Sequence, residues 1–263
     1  MSKINIELQR LVSTLSAPCV LKDAMLWALL GGKLYRGQLT YVACLAWGAT
    51  DQQALRLACA VEAAHACSLV HDDLPAMDND QFRRGQLTVH AKFGEAIGIL
   101  VGDALISLAY EWIASTDHPN VASMIRALGY AFGPEGMIGG QYVDLHVKIN
   151  SLDELFELHA AKTGRLFGLC LALGMLCKQS HVEGDIWEIG RLMGIAYQCI
   201  DDFQDQGIKD AKETAPHFLS QDAFCQLIAQ TEAQVDVYLK AHCPEPFLLM
   251  PQIKKIFAHE LPA

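Results

Sequence analysis

Two runs of aspartate interrupt otherwise apolar stretches of this chain. The first follows Ala60–Val70 and reads His71-Asp72-Asp73-Leu74-Pro75-Ala76-Met77-Asp78-Asn79-Asp80; the second follows Gly194–Ile200 and reads Asp201-Asp202-Phe203-Gln204-Asp205. Carboxylates at the C-terminal end of a helix face the negative end of its dipole. Two unit charges 4 Å apart interact by about 4 kcal/mol at an effective dielectric of 20, so facing clusters repel by several kcal/mol without a counter-ion. Hard divalent cations relieve that repulsion, and Mg²⁺ typically takes one or two carboxylates together with water and substrate phosphate oxygens. One acidic helix end is ordinary solvated surface. Two of them suggest a magnesium-diphosphate site. Asp201 and Asp205 stand four apart and share a helix face. Pro75 breaks the first helix, so a turn must bring Asp78 back towards Asp72.

Basic residues supply the complementary half. Arg83-Arg84-Gly85 follows the first acidic run, Lys33 and Arg36 form an isolated pair, Lys162-Thr163-Gly164 interrupts an apolar helix, and Lys212 lies beyond the second run. A guanidinium fork suits phosphate oxygens.

The elements that must hold these groups read as helices. Apolar residues recur at helical spacing and alternating β-branched runs are scarce. Helices are predicted at 5–15, 19–31, 36–47, 51–74, 91–115, 119–132, 134–146, 151–177, 181–205, 220–241 and 248–258. Gly31-Gly32 closes one helix, Thr50-Asp51 offers a cap, Ser151-x-x-Glu154 is a capping box, and Pro119 and Pro134 stand near helix starts. The segments 51–71 and 163–177 are apolar nearly all round, as expected at the centre of a bundle. With no linker rich in Ser, Gly or Pro, residues 1–263 read as one all-α domain.

Composition narrows the function. The 263 residues are 52% hydrophobic, which supplies a core; 30 acidic against 20 basic residues give a net charge of −10, wrong for a sequence-independent grip on nucleic acid. The nine cysteines are odd in number and form no Cys-x-x-Cys pair, as expected of buried thiols in a reducing cytosol. The first residues are too polar for a signal peptide. The longest apolar run, Phe167–Cys177, is 11 residues, short of the ~18 or more of a membrane span. The expectation is a cytoplasmic protein with no membrane span.

Asp72-Asp73-x4-Asp78 with Arg83-Arg84-Gly85, and Asp201-Asp202-x-x-Asp205, resemble the two aspartate-rich motifs of the trans-polyprenyl diphosphate synthases. The resemblance is greatest to bacterial farnesyl and geranylgeranyl diphosphate synthases. It runs from Gly31-Gly32-Lys33-x-x-Arg36 through Gly139-Gly140-Gln141-x-x-Asp144 to Lys212-x-Thr214-x-Pro216. It implies a single-domain helical bundle of the isoprenoid synthase type with a central apolar tunnel, acting as a homodimer. It further implies that isopentenyl diphosphate condenses with an allylic prenyl diphosphate to a C15–C20 product. On this resemblance Asp72 and Asp78 bind two Mg²⁺ ions and Asp201, with Asp205, a third, Mn²⁺ being an alternative; Asp73 and Asp202 assist. Arg83, Lys162 and Lys212 hold the allylic diphosphate. Lys33, Arg36, His65 and Arg84 match the positions that grip isopentenyl diphosphate. Thr163 and Gln198 match residues beside the reacting carbons, and Tyr197 stands where the family has an aromatic. The family's chain-length position, five before Asp72, is Cys67; one turn up is Ala64. Both are small, which favours geranylgeranyl over farnesyl.

The match has departures. Gly37 stands where the family usually has proline after the arginine. The loop between Asp205 and Lys212 is short, with Lys209 a partial substitute for the family's loop lysine. The sequence given ends His259-Glu260-Leu261-Pro262-Ala263 rather than in a basic tail. These keep open a catalytically weakened paralogue that binds prenyl diphosphates or partners another subunit. A class I terpene cyclase shares the metal chemistry but has no use for Lys33, Arg36 and His65, and a metal phosphohydrolase built on His71-Asp72 lacks further ligand histidines.

Overall fold

The structure, a computed structural model, describes residues 2–182, 185–204 and 213–257. Asp205, Lys209, Lys212 and the terminal residues from 258 lie outside the described residues.

Helix starts fall where the side chains can cap them. Thr50 accepts from the Gln53 N–H while the Gln53 side chain accepts from the Thr50 N–H, closing the capping box of α4 (Asp51–Asp72). Before α4 come α1 (Lys3–Ser13), α2 (Cys19–Leu29) and α3 (Tyr35–Ala46). A two-stranded hairpin, β1 (Phe82–Arg83) and β2 (Gln86–Leu87), follows α4, then α5 (Val89–Phe93), α6 (Glu95–Ala114), α7 (Val121–Phe132) and α8 (Met137–His146). A single helical rod then runs as α9 (Leu152–His159), a π turn (Ala160–Gly164) and α10 (Arg165–Leu176). It is followed by α11 (Asp185–Gln204), α12 (Ala215–Phe218), α13 (Gln221–His242) and α14 (Pro246–Phe257).

The elements expected from the sequence are present, with instructive differences. The helix expected at 91–115 breaks at Gly94, whose φ of +94° ends α5 and begins α6. Helix α8 starts at Met137, three residues past Pro134. At Ser151 half the capping box forms: its hydroxyl accepts from the Glu154 N–H, but the Glu154 carboxylate turns to the Asn150 N–H at 2.8 Å. Helix α6 is also long and apolar enough, by length and composition, to cross a membrane, with a mean hydropathy of 1.6 over its best window and 39% of that window buried. The sequence expectation rested on uninterrupted apolar runs, and Asp103 interrupts this one while lowering its average little.

Helices α4 and α10 form the centre. Every residue from Leu166 to Leu176 is buried, and α4 is buried almost continuously from Leu57 to Ala64. Helices α3 and α6 flank α4, while α3 and α11 flank α10. Val101 and Leu105 of α6 are fully buried, each such side chain stabilising the fold by roughly 1.5–3 kcal/mol.

The crossing of the π turn and α10 over α11 is closer than side chains allow. Gly164 and Gly168 face Gly194 and Gly190: a Cβ on Gly194 would lie 2.2 Å from Gly164 Cα, and one on Gly190 2.2 Å from Gly168 Cα. Backbone meets backbone there, which brings Thr163 beside Gln198.

Candidate active site

After α4 the chain makes the return that Pro75 demanded. The Asp78 N–H donates to the Asp72 carbonyl at 2.9 Å, and Asn79 takes a left-handed φ of +56° to leave the turn. Both Asp72 and Asp73 are buried, 9% and 3% exposed, but they differ in use. Arg83 donates to Asp73 Oδ1 through Nε at 2.8 Å and Nη2 at 2.6 Å, so Asp73 is a counter-ion that fixes the arginine. Asp72 faces a cavity. Burial, with help from the nearby charge of Asp78, raises its pKa to about 6 even though Lys162 and Arg83 pull it down.

The hairpin delivers the second arginine. Arg84 and Gly85 have φ of +55° and +75° between the paired residues Arg83 and Gln86, the two-residue turn that matches strand twist. That turn lays the Arg84 guanidinium on Gly32, where a Cβ would come within 2.7 Å of Nη1. Arg84 thereby joins the Lys33 segment that the sequence left far away.

At the start of α3, Arg36 is buried over the rings of Phe167 and Tyr197, at 4.9 and 5.6 Å to their centroids. Its Nη1 donates to His65 Nε2 at 3.3 Å. An arginine has only donors, so His65 accepts as a neutral ring. Burial first, then the charges of Arg36 and Arg84, hold its pKa well below the usual histidine value. Tyr35 packs edge-on to Tyr197, and the ammonium groups of Lys33 and Lys255 lie 5.8 and 5.9 Å from its ring centre.

The π turn carries Lys162 and Thr163; such turns frequently mark functional positions. Lys162 Nζ donates to Asp144 Oδ2 at 2.7 Å. Thr163 Oγ1 donates to Gln198 Oε1 at 3.2 Å, and Gln198 Nε2 donates to Asp202 Oδ1 at 3.4 Å. Asp202 also accepts from the Ala215 N–H at 2.9 Å and stands 3.6 Å from His159 Nε2, tying α9, α11 and α12 together.

These groups surround one cavity of about 590 Å³. Of the residues singled out from the sequence, Lys33, Arg36, His65, Asp72, Asp78, Arg83, Arg84, Lys162, Thr163, Gln198 and Asp201 line it. Asp73 and Asp202 stand behind the wall as the anchors just described. Asp205 and Lys212 lie outside the described residues. Cys67 and Ala64 are buried but do not line the cavity; the Cys67 thiol meets the Ile106 backbone of α6. The apolar part of the cavity wall includes Leu29, Leu34, Leu69, Met137 and Leu166.

Sequence reasoning gave no role to Glu62, Tyr35 or Ser68, which line the cavity, or to Asp144, which holds Lys162. A glutamate inside the apolar run of α4 was the available signal for the first. Among the described residues no three His, Cys, Asp or Glu side chains cluster as a ready-made metal cage. Mg²⁺, the ion the resemblance implies, keeps waters and shares its ligands with substrate phosphate. The fit is electrostatic: Asp72, Asp78, Asp80 and Asp201 turn to the same cavity.

His159 makes the fold acid-sensitive. Its burial lowers the pKa to about 4. The folded chain then binds fewer protons than the unfolded one below the free-histidine pKa of about 6.5, so stability is lost as pH falls towards 4. Between pH 7 and 5 the expected loss from this residue is about 2 kcal/mol. Urea unfolding of His159→Gln at both pH values is expected to show that much less pH dependence than the unsubstituted chain; parallel dependence in both proteins contradicts the assignment.

The family model for polyprenyl synthetase matches residues 19–217, three quarters of the chain and nearly all of the site just described. This chain belongs to the polyprenyl synthetase family. Among its relatives in that family is the farnesyl diphosphate synthase of Geobacillus stearothermophilus, 38% identical over 216 residues that cover 78% of this chain and 72% of that one. The heterodimeric geranylgeranyl pyrophosphate synthase large subunit 1 of Arabidopsis thaliana is 38% identical over 214 residues, 76% of this chain and 57% of that protein. The crystal structure of an FPP/GFPP synthase from Zymomonas mobilis superposes with a TM-score of 0.85 at 33% identity, covering 97% of this chain and 96% of that one. The all-α isoprenoid synthase fold is common to both.

Proposed function

We propose that the protein condenses isopentenyl diphosphate with an allylic prenyl diphosphate to a C15–C20 trans-prenyl diphosphate. The observation that carries this reading is one cavity holding two kinds of anion site. Its lining holds the carboxylates Asp72, Asp78 and Asp201 with Arg83 and Lys162 as one set, and Lys33, Arg36, His65 and Arg84 as a second, cationic set. A cyclase or a phosphatase needs the first only.

Asp72, Asp78 and Asp201 would hold Mg²⁺, with Mn²⁺ as a substitute and three ions as the full complement. When bound, the metal offsets the charge that gathers on the departing diphosphate. Asp144 keeps the Lys162 ammonium extended towards that diphosphate, and Asp73 does the same for Arg83. Lys33, Arg36 and Arg84 take the second diphosphate, and neutral His65 orients Arg36. Thr163 and Gln198 flank the reacting carbons, where the allylic C1–O bond breaks and the double bond of isopentenyl diphosphate forms the new C–C bond. The proton lost from the adduct passes to the departing diphosphate. Leu69, Met137 and Leu166 line the prenyl chain and exclude water.

The active form is a homodimer. Ile99 and Leu100 of α6, 48% and 52% exposed, give an apolar face suited to a second copy. Free thiols throughout suit a reducing cytoplasm, and α6, packed on α4, serves the bundle rather than a bilayer. The acidic charge gives no basis for nucleic-acid binding. Incubation with Mg²⁺, isopentenyl diphosphate and allylic primers of rising length, with products identified by mass, tests the proposal. Diphosphates five carbons longer than the primer are expected. Hydrocarbon products indicate a cyclase, and tight binding without turnover a partner subunit.

A further inference from the structure

Helix α3 begins without a local cap. Its preceding residue, Leu34, takes a left-handed φ of +54° and offers no side-chain hydrogen bond to the first turn. The first-turn N–H groups of a helix have no partner within it, and leaving one buried and unpaired costs about 1–3 kcal/mol. The partner here comes from another helix. Glu62, in the middle of α4 and 6% exposed, accepts the Gly37 N–H on Oε1 at 2.5 Å. The approach is so close that a Cβ on Gly37 would lie 2.6 Å from Glu62 Cγ.

We propose that Glu62 is a positioning residue for isopentenyl diphosphate: it caps α3 from α4 and thereby fixes Arg36, the neighbour of Gly37. This rests on the proposed function for the identity of the ligand. A carboxylate at a helix N-terminus is also favoured by the helix dipole, and Arg36 beside it supplies a compensating charge. The Arg36 side chain is held by the rings of Phe167 and Tyr197 and by His65, and its carbonyl accepts from Thr40 Oγ1 at 2.8 Å. Glu62 fixes the backbone that carries it.

Two measurements test the cap. Hydrogen exchange at the Gly37 amide needs no turnover. It is expected to be at least tenfold faster in Glu62→Ala than in the unsubstituted chain, and close to the unsubstituted rate in Glu62→Gln, whose amide oxygen still accepts. Equal exchange in all three proteins overturns the cap. In steady-state assays Glu62→Ala is expected to raise KM for isopentenyl diphosphate about tenfold and leave KM for the allylic primer within twofold. Glu62→Gln is expected within threefold of the unsubstituted enzyme. Equal loss for both substrates, or a Gln variant as poor as Ala, overturns the positioning role. If Glu62→Ala does not fold, Glu62→Met fills a similar volume without a carboxylate acceptor and is expected to raise the same KM selectively; unchanged KM there also overturns it. Failure of the unsubstituted protein to condense substrates refutes the function while the exchange result still decides the cap.

Discussion

Asp72→Asn is expected to lower kcat by about 10³–10⁴-fold, or about 4–5.5 kcal/mol, while making the metal-free protein more stable. The two signs have one cause. Asp72 is buried at the rim of the cavity with Asp78 for a neighbour, and its pKa is raised to about 6. A carboxylate with a raised folded-state pKa binds its proton more tightly in the folded chain, so stability falls as pH climbs from about 4 to 6 and stays reduced above that. At pH 7.5 the full penalty, on the order of 3 kcal/mol, is in force. Asparagine removes the charge and keeps the shape, so it relieves the penalty and with it the seat for a cation. The measurements are kcat with saturating Mg²⁺ and the unfolding midpoint in EDTA at pH 7.5. Loss of activity with an unchanged or lower midpoint contradicts the electrostatic account.

Gly194→Ala is expected to cost about 3 kcal/mol of stability and roughly 10²-fold in kcat/KM, although the residue touches no substrate. The added Cβ would sit 2.2 Å from Gly164 Cα and 2.3 Å from Gly164 N. Backbone atoms on a central helix cannot step aside as a flexible side chain can, so α11 must move bodily. Gln198 lies one turn further along the same face, and its 3.2 Å bond to Thr163 Oγ1 opens with that movement. Chemical denaturation reads the first effect and steady-state kinetics the second. Full stability in Gly194→Ala contradicts the backbone contact.

The two predictions mark the limits of what the sequence discloses. The aspartate runs were legible because charge at the end of an apolar helix is conspicuous in one dimension, and so was the return that brings Asp78 to Asp72. Buried helices such as α4 and α10 were legible because no polar face interrupts them. What pairs residues across the fold was not. The glycines of the α10–α11 crossing repeat at four-residue spacing in both helices, yet each reads as an incidental residue until the helices are seen to cross. Arg84 reaches Gly32 only through a two-residue turn, and Glu62 caps a helix whose own sequence gives no sign of needing one. Tunnel depth depends on pairings of the same kind. Cys67 and Ala64 are small and buried, Cys67 against the Ile106 backbone of α6, and the cavity wall draws on several helices at once. An acidic surplus of ten charges is on its face ill-suited to anionic substrates. Asp72, Asp78, Asp80 and Asp201 converge on one cavity, and on the proposed function that part of the surplus is the seat for cations.

The central claim is a condensation rather than a cleavage or a cyclisation, and stoichiometry tests it most directly. With labelled isopentenyl diphosphate, an allylic primer and Mg²⁺, one inorganic diphosphate is expected to be released for each isopentenyl unit incorporated, and neither in EDTA. Diphosphate released from the allylic substrate without incorporation would contradict the account.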